Sequence, residues 1–193
     1  LLDERRKPFG QEEVLDWGLQ ICDVLAYLHS HKPPVIFRDM KPDNLILRHD
    51  GRLMVIDFGI AKVFEHGARG TMIGTEGYSP PEQYKGEAGP LSDIYALGAT
   101  LHHAVTRRDP RLEAPFSFNE RPIRQLNPAI SIEFETVINT ALQYNPQNRF
   151  QSASEMKEAL ISVARKTGVL ISGSTKTNHT ALQNVTSLWS FEC

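Results

Sequence analysis

Apolar residues recur at steps of three and four through residues 11–30. Val14, Gly18, Ile21, Leu25 and Leu28 form one stripe, widened by Leu15, Leu19 and Cys22. That period predicts an amphipathic helix with a broad buried face. Gln11, Glu12 and Glu13 put negative charge in its first turn, where the helix dipole favours it, and His31-Lys32-Pro33-Pro34 ends it. Three short apolar runs follow, at 35–37, 45–47 and 53–56, and read as strands. His49-Asp50-Gly51 between the last two is a hairpin turn signal. Residues 92–106 are apolar nearly all round and predict a buried helix, with Ser92 or Asp93 as its N-cap. Residues 107–130, rich in Pro, Arg and Asn, predict an irregular crossing. Another amphipathic helix is expected over 131–143, with Phe134, Val137, Ile138, Ala141 and Leu142 inward. Ser152 and Glu155 frame a capping sequence for a last helix, running to about residue 165. At the start, residues 1–6 read as the end of a short helix stopped by Pro8. The pattern as a whole is mainly α, α+β overall.

Composition narrows the class without naming an activity. The 193 residues suffice for one domain with a sizeable core. A formal charge of −2 gives no strong field for nucleic acid or an anionic membrane. The two cysteines, Cys22 and Cys193, are too few and too far apart for a disulfide framework, and Cys22 reads as a small core residue. No run of 18 apolar residues is present, so no span is expected in this chain, and no signal peptide opens it. A reducing cytoplasm is the expected setting, with any membrane anchor of a longer protein outside these residues. Residues 166–193 turn rich in Thr, Ser, Asn and Gly and read as a flexible linker, whose Asn178 and Asn184 sequons are taken as chance. The chain begins at Leu1 and stops at Phe191-Glu192-Cys193, and both ends look cut. A fragment of a longer protein is the expectation.

Candidate chemistry gathers in residues 35–59. A hairpin of this length returns Asn44 and Asp57 to the same end of the strand pair. Two oxygen side chains converging there suit a hard cation such as Mg²⁺. Asp39 nearby is a carboxylate able to accept a proton from a hydroxyl, and Lys41 is a point charge suited to a phosphate. The plain alternative is an ordinary hairpin with a polar rim.

These residues also resemble the eukaryotic-like serine/threonine protein kinases. Arg38-Asp39, four residues and Asn44 resemble the catalytic loop, and Asp57-Phe58-Gly59 resembles the metal-binding triplet. Lys41-Pro42 is similar to the serine/threonine branch rather than the tyrosine branch. One departure is Phe37 where the family usually has His: Phe37 keeps packing against Phe58 but not the hydrogen bond. Gly74-Thr75 through Pro81-Glu82 resembles the substrate-facing end of the activation segment, with Pro80 in place of Ala. Asn145-Pro146, two residues and Arg149 resemble the turn whose Arg pairs with the Glu of that segment, here Glu82.

The resemblance covers about residues 1–165 and implies a protein-kinase-like large lobe, a helical bundle with a short β-hairpin carrying the active site and the small lobe absent. No Gly-rich phosphate loop and no Val-Ala-x-Lys strand is found. It implies MgATP (or Mn²⁺) as cofactor and Ser/Thr-bearing proteins, including the kinase itself, as substrates. By the same resemblance Asp39, Lys41 and Thr75 are catalytic, Asn44 and Asp57 hold metal, and Ile46 packs under the adenine, against the plain alternative of strand burial. Asp93 is implied to accept backbone N–H groups of the catalytic loop. Arg38 is implied to meet a phosphate on the activation segment, with Thr71 the best acceptor and Thr75 second, and residues 60–70 of that segment read as a mobile loop. His102 and His103, adjacent and so on different faces, read as packing or surface residues rather than a metal pair. A helix that docks substrates in the family reads as shortened or absent within 107–130. The final residues 187–192 resemble the opening strand of a quinoprotein-type β-propeller repeat. The rival reading is a non-catalytic, pseudokinase-like scaffold.

Overall fold

The computed structural model describes residues 7–57, the backbone of 62–63, and 74–170. Several expectations lie outside the described residues: the helix end at 1–6, Phe58, Gly59, Thr71, most of the 60–70 loop, and the tail with its sequons and propeller-like strand. The order of elements is α1 (Gln11–His29), β1 (Val35–Ile36), β2 (Leu45–Leu47), β3 (Leu53–Val55), β4 (Lys62–Val63), α2 (Pro81–Tyr84), α3 (Pro90–Thr106), α4 (Ile123–Leu126), α5 (Ile132–Ala141) and α6 (Ala153–Thr167). The molecule is mainly helical, with two small antiparallel strand pairs.

The stripe of α1 is its buried face: Val14, Leu15, Gly18, Leu19, Ile21, Cys22, Leu25 and Leu28 are all buried, with Trp17 added. This face packs on α6 and α3, and α5 packs against both of those helices. Helix α3 runs through the centre of the bundle, and every residue from Ser92 to Thr106 is buried. Burial on all sides explains why its sequence lacks a polar face. Helix α3 begins earlier than expected. Gly89, rather than Ser92 or Asp93, is the N-cap, and Pro90 occupies the first turn, where its missing N–H costs nothing. Ser92 instead accepts the Gly89 N–H at 3.1 Å. Helices α5 and α6 carry N-caps Ser131 and Ser152, each accepting the N–H three residues on. Helix α6 continues to Thr167 and stops at Gly168, whose φ of +70° closes the helix.

The hairpin β2–β3 pairs Leu45 with Val55 and Leu47 with Leu53. Its turn closes by Gly51 N–H to the Arg48 carbonyl at 3.0 Å, with Gly51 at φ +79°. The loop expected over 60–70 is interrupted by β4, which pairs with β1 through Val35–Val63 and Ile36–Lys62. A two-residue strand carries no period in the sequence, so nothing local marks β4. The 107–130 crossing holds short 3₁₀ turns and the four-residue α4. No described helix is long and apolar enough to cross a membrane.

Candidate active site

The loop between β1 and β2 is held from below by one carboxylate. Asp93, fully buried near the start of α3, accepts the Phe37 N–H at 2.9 Å and the Arg38 N–H at 2.8 Å, one on each oxygen. His29, in the last turn of α1, meets the same carboxylate at 2.8 Å. Arg38 stands at φ +72°, in the left-handed region that non-glycine residues rarely adopt. Such a conformation persists only where its surroundings over-determine it. Here two charge-assisted bonds to Asp93 and the donation of Gln83 Nε2 to the Arg38 carbonyl at 2.8 Å do so. Thr100 of α3 adds a bond to the Met40 carbonyl at 3.2 Å. Phe37 and Met40 are buried in the core, so the loop rests on an apolar floor.

Asp39 is the hub of what is presented. Its Oδ1 accepts the Thr75 hydroxyl at 2.6 Å. Its Oδ2 meets Lys41 Nζ at 2.8 Å and accepts Asn44 Nδ2 at 2.9 Å. Lys41 Nζ also donates to the Thr75 hydroxyl at 2.7 Å, which closes a circuit of Asp39, Lys41 and Thr75. The side chains of Lys41 and Asp39 keep 19% and 13% of their exposure, enough for an incoming group to reach them. The arrangement fixes a carboxylate oxygen against a hydroxyl with a cation beside both, the geometry for orienting a hydroxyl and taking its proton.

Asn44 and Asp57 sit at the open end of the hairpin. The Ile56 N–H donates to the Asn44 carbonyl at 2.9 Å, so Asp57 lies one residue beyond the last rung, at φ +62°. Asn44 sends its amide nitrogen to the backbone and carboxylate oxygens of Asp39, at 2.8 and 2.9 Å. Both of its N–H groups are spent there, which turns the amide oxygen into the end able to ligate. No cluster of three or more His, Cys, Asp or Glu forms a metal cage among the described residues. One amide oxygen and one carboxylate nonetheless fit Mg²⁺, which takes few protein oxygens and fills its shell with phosphates and water.

Ile46, on the hairpin, is 47% exposed, beside Met54 at 45% and Leu47 at 40%. Strand burial therefore does not account for Ile46. Glu82 and Arg149 form a bidentate pair at 2.6 and 3.0 Å, with Arg149 fully buried. His102 and His103 are both packed inside, not at the surface: His102 bonds the Arg121 carbonyl at 3.1 Å and His103 the Tyr78 hydroxyl at 2.6 Å. Burial pulls both imidazoles down to about 4. The same burial raises the Tyr78 phenol, so Tyr78 is the donor to His103. His29 and Gln83, which brace the loop, were not singled out in the sequence. His29 occupies a helix end like any capping residue, and Gln83 is one polar residue in a short helix; neither position carries a periodic signal.

Residues 1–161 match the protein kinase domain family. The chain is 38% identical over 161 residues to the serine/threonine-protein kinase PknA of Nostoc sp., covering 78% of this chain and 28% of that protein. It is 36% identical over 190 residues to serine/threonine-protein kinase C of Synechocystis sp., covering 89% of this chain and 35% of the relative. With PknB of Mycobacterium leprae the identity is 32% over 169 residues, 81% of this chain and 27% of the relative. The chain thus spans about a quarter to a third of the curated relatives it matches. With most of its length matched to one family, the chain belongs to the protein kinase domain family.

Proposed function

We propose that the chain carries the large, helical lobe of a serine/threonine protein kinase catalytic domain, over residues 1–165, followed by a linker. The protein containing it transfers the γ-phosphate of MgATP to Ser or Thr hydroxyls of proteins, itself included. The observation that carries this reading is the circuit of Asp39, Thr75 and Lys41. A substrate Ser or Thr presents to Asp39 the same group that Thr75 presents now. Asp39 orients that hydroxyl and takes its proton, while Lys41 neutralises charge on the phosphoryl in transit. Asn44 and Asp57 are the residues that would hold Mg²⁺ or Mn²⁺, which supplies charge neutralisation at the phosphates when bound. The exposed Ile46 offers the adenine an apolar floor. Catalysis of this kind is mostly positioning and electrostatics.

Regulation follows from Arg38. Arg38 is 6% exposed, and its buried Nε has no hydrogen-bond partner among the described residues. A phosphate on the activation segment, at Thr71, would satisfy it. Mass spectrometry of the active full-length protein is expected to find Thr71 modified, and an unmodified Thr71 in active protein overturns this assignment.

The sequence given carries no Gly-rich phosphate loop, so this chain alone is expected to show little or no transfer. The test is MgATP-dependent autophosphorylation of the full-length protein beside its Asp39→Asn variant. Loss of a general base costs about 10²–10⁴-fold in rate. Incorporation abolished by Asp39→Asn supports the kinase. No incorporation together with no MgATP binding moves the reading to a non-catalytic scaffold.

A further inference from the structure

Gln20, in the third turn of α1, spends its side chain on the β2–β3 hairpin. Its Oε1 accepts the Leu53 N–H at 2.8 Å. Its Nε2 donates to the Gly51 carbonyl at 3.2 Å and to Asp16 Oδ2 at 2.8 Å. One side-chain amide therefore plays the part of a neighbouring strand, pairing an N–H and a C=O of the hairpin. The hairpin is a two-stranded sheet, the kind that is marginal without support. Its edge amide at Leu53 needs a partner. Asp16, one turn earlier on α1, sets the direction. An ionised carboxylate only accepts, so the amide nitrogen of Gln20 faces Asp16 and its oxygen faces Leu53.

The hairpin carries the nucleotide and metal side of the site: Asn44 at its root, Ile46 on its exposed face, and Asp57 just past β3. The loop bearing Asp39 has its own braces, Asp93 and Gln83 on the Arg38 backbone, and meets the hairpin through Asn44. We propose that Gln20 is a positioning residue that sets the hairpin against α1 and so places Asn44, Ile46 and Asp57 for MgATP. This rests on the kinase reading. Gln20 acts through the hairpin rather than on the reacting atoms, so its loss weakens nucleotide binding without removing the Asp39 chemistry.

The test uses the full-length protein, with MgATP affinity from titration calorimetry and amide exchange of the peptide containing Leu53. Gln20→Leu is expected to speed that exchange and to weaken MgATP roughly fivefold, the effect of one ordinary hydrogen bond. Gln20→Ser carries the same test if the Leu variant does not fold. Gln20→Glu with Asp16→Asn keeps an acceptor for the Leu53 N–H but loses the donor to the Gly51 carbonyl. It is expected to slow exchange at Leu53 relative to Gln20→Leu while leaving MgATP weaker than in wild type. A Gln20 that only packs would show no difference in Leu53 exchange between the two variants. Unchanged MgATP affinity in Gln20→Leu, with transfer still abolished by Asp39→Asn, overturns the inference and leaves the kinase standing. A wild-type protein that binds no MgATP overturns both.

Discussion

Arg149→Met removes the most completely used side chain near the site. A guanidinium has five N–H groups, and each has a partner here. Nη1 donates to Glu82 Oε1 at 2.6 Å and to the Leu91 carbonyl at 3.0 Å. Nη2 donates to Glu82 Oε2 and to the Tyr144 carbonyl, both at 3.0 Å, and Nε to the Gln143 carbonyl at 2.7 Å. The group also lies 4.9 Å from the centre of the Tyr95 ring. Met keeps the length and the apolar stem but offers no donor. It strips three carbonyls of their partners and leaves the half-buried Glu82 carboxylate with the Ser92 hydroxyl at 2.9 Å. Removing one member of a buried pair costs roughly 3–5 kcal/mol. At roughly 2–4 °C per kcal/mol for a chain of this size, the melting midpoint should fall by roughly 6–20 °C. Thermal and urea unfolding followed by circular dichroism read this directly. Glu82→Gln combined with Arg149→Met removes both charges, and should be less destabilised than the sum of the single changes by at least about 1 kcal/mol. A loss under about 1 kcal/mol for Arg149→Met, or strict additivity of the two, refutes the reasoning.

Gly77→Ala should disturb the loop bearing Thr75. Gly77 sits at φ +83°, and a Cβ there would lie 2.5 Å from the backbone of Pro110. A loss of at least about 2 kcal/mol is expected, since strain and overlap with immobile backbone add. A wild-type melting curve would contradict it. A pH dependence is also expected from His102 and His103. Their folded values lie near 4, below the usual imidazole value near 6.5. Between those two values the unfolded chain binds protons that the folded chain refuses, so stability falls as the pH drops through that window. Urea midpoints measured from pH 7 to pH 4 should decline for wild type and decline less for His102→Gln. A wild-type profile that is flat over that range would rule this out.

Local physics was legible in the chain. The stripe of α1 predicted its buried face because a helix repeats its environment every three to four residues. The turn at Gly51 and the cap at Ser152 were visible because their partners lie within a few positions. The motif resemblance brought Asp39, Asn44, Asp57, Thr75, Glu82, Asp93 and Arg149 forward as candidates. Their distances belong to the fold: Thr75 meets Asp39 across 36 positions, Asp93 meets Phe37 across 56, and Glu82 meets Arg149 across 67. Other partnerships had no sequence signal at all. His29 reaches Asp93, Gln20 reaches Leu53, and His103 reaches Tyr78. A hydrogen bond between distant residues depends on how two elements are packed, and packing leaves no period behind it. The exposure of Ile46 was decided in the same way, because a strand's pattern tells which residues share a face but not whether anything covers it. The sequence by itself thus determined the four long helices, the hairpin and the family; only the tertiary structure decided which side chains hold the β1–β2 loop and the hairpin in place, because burial and long-range pairing are properties of the packed chain.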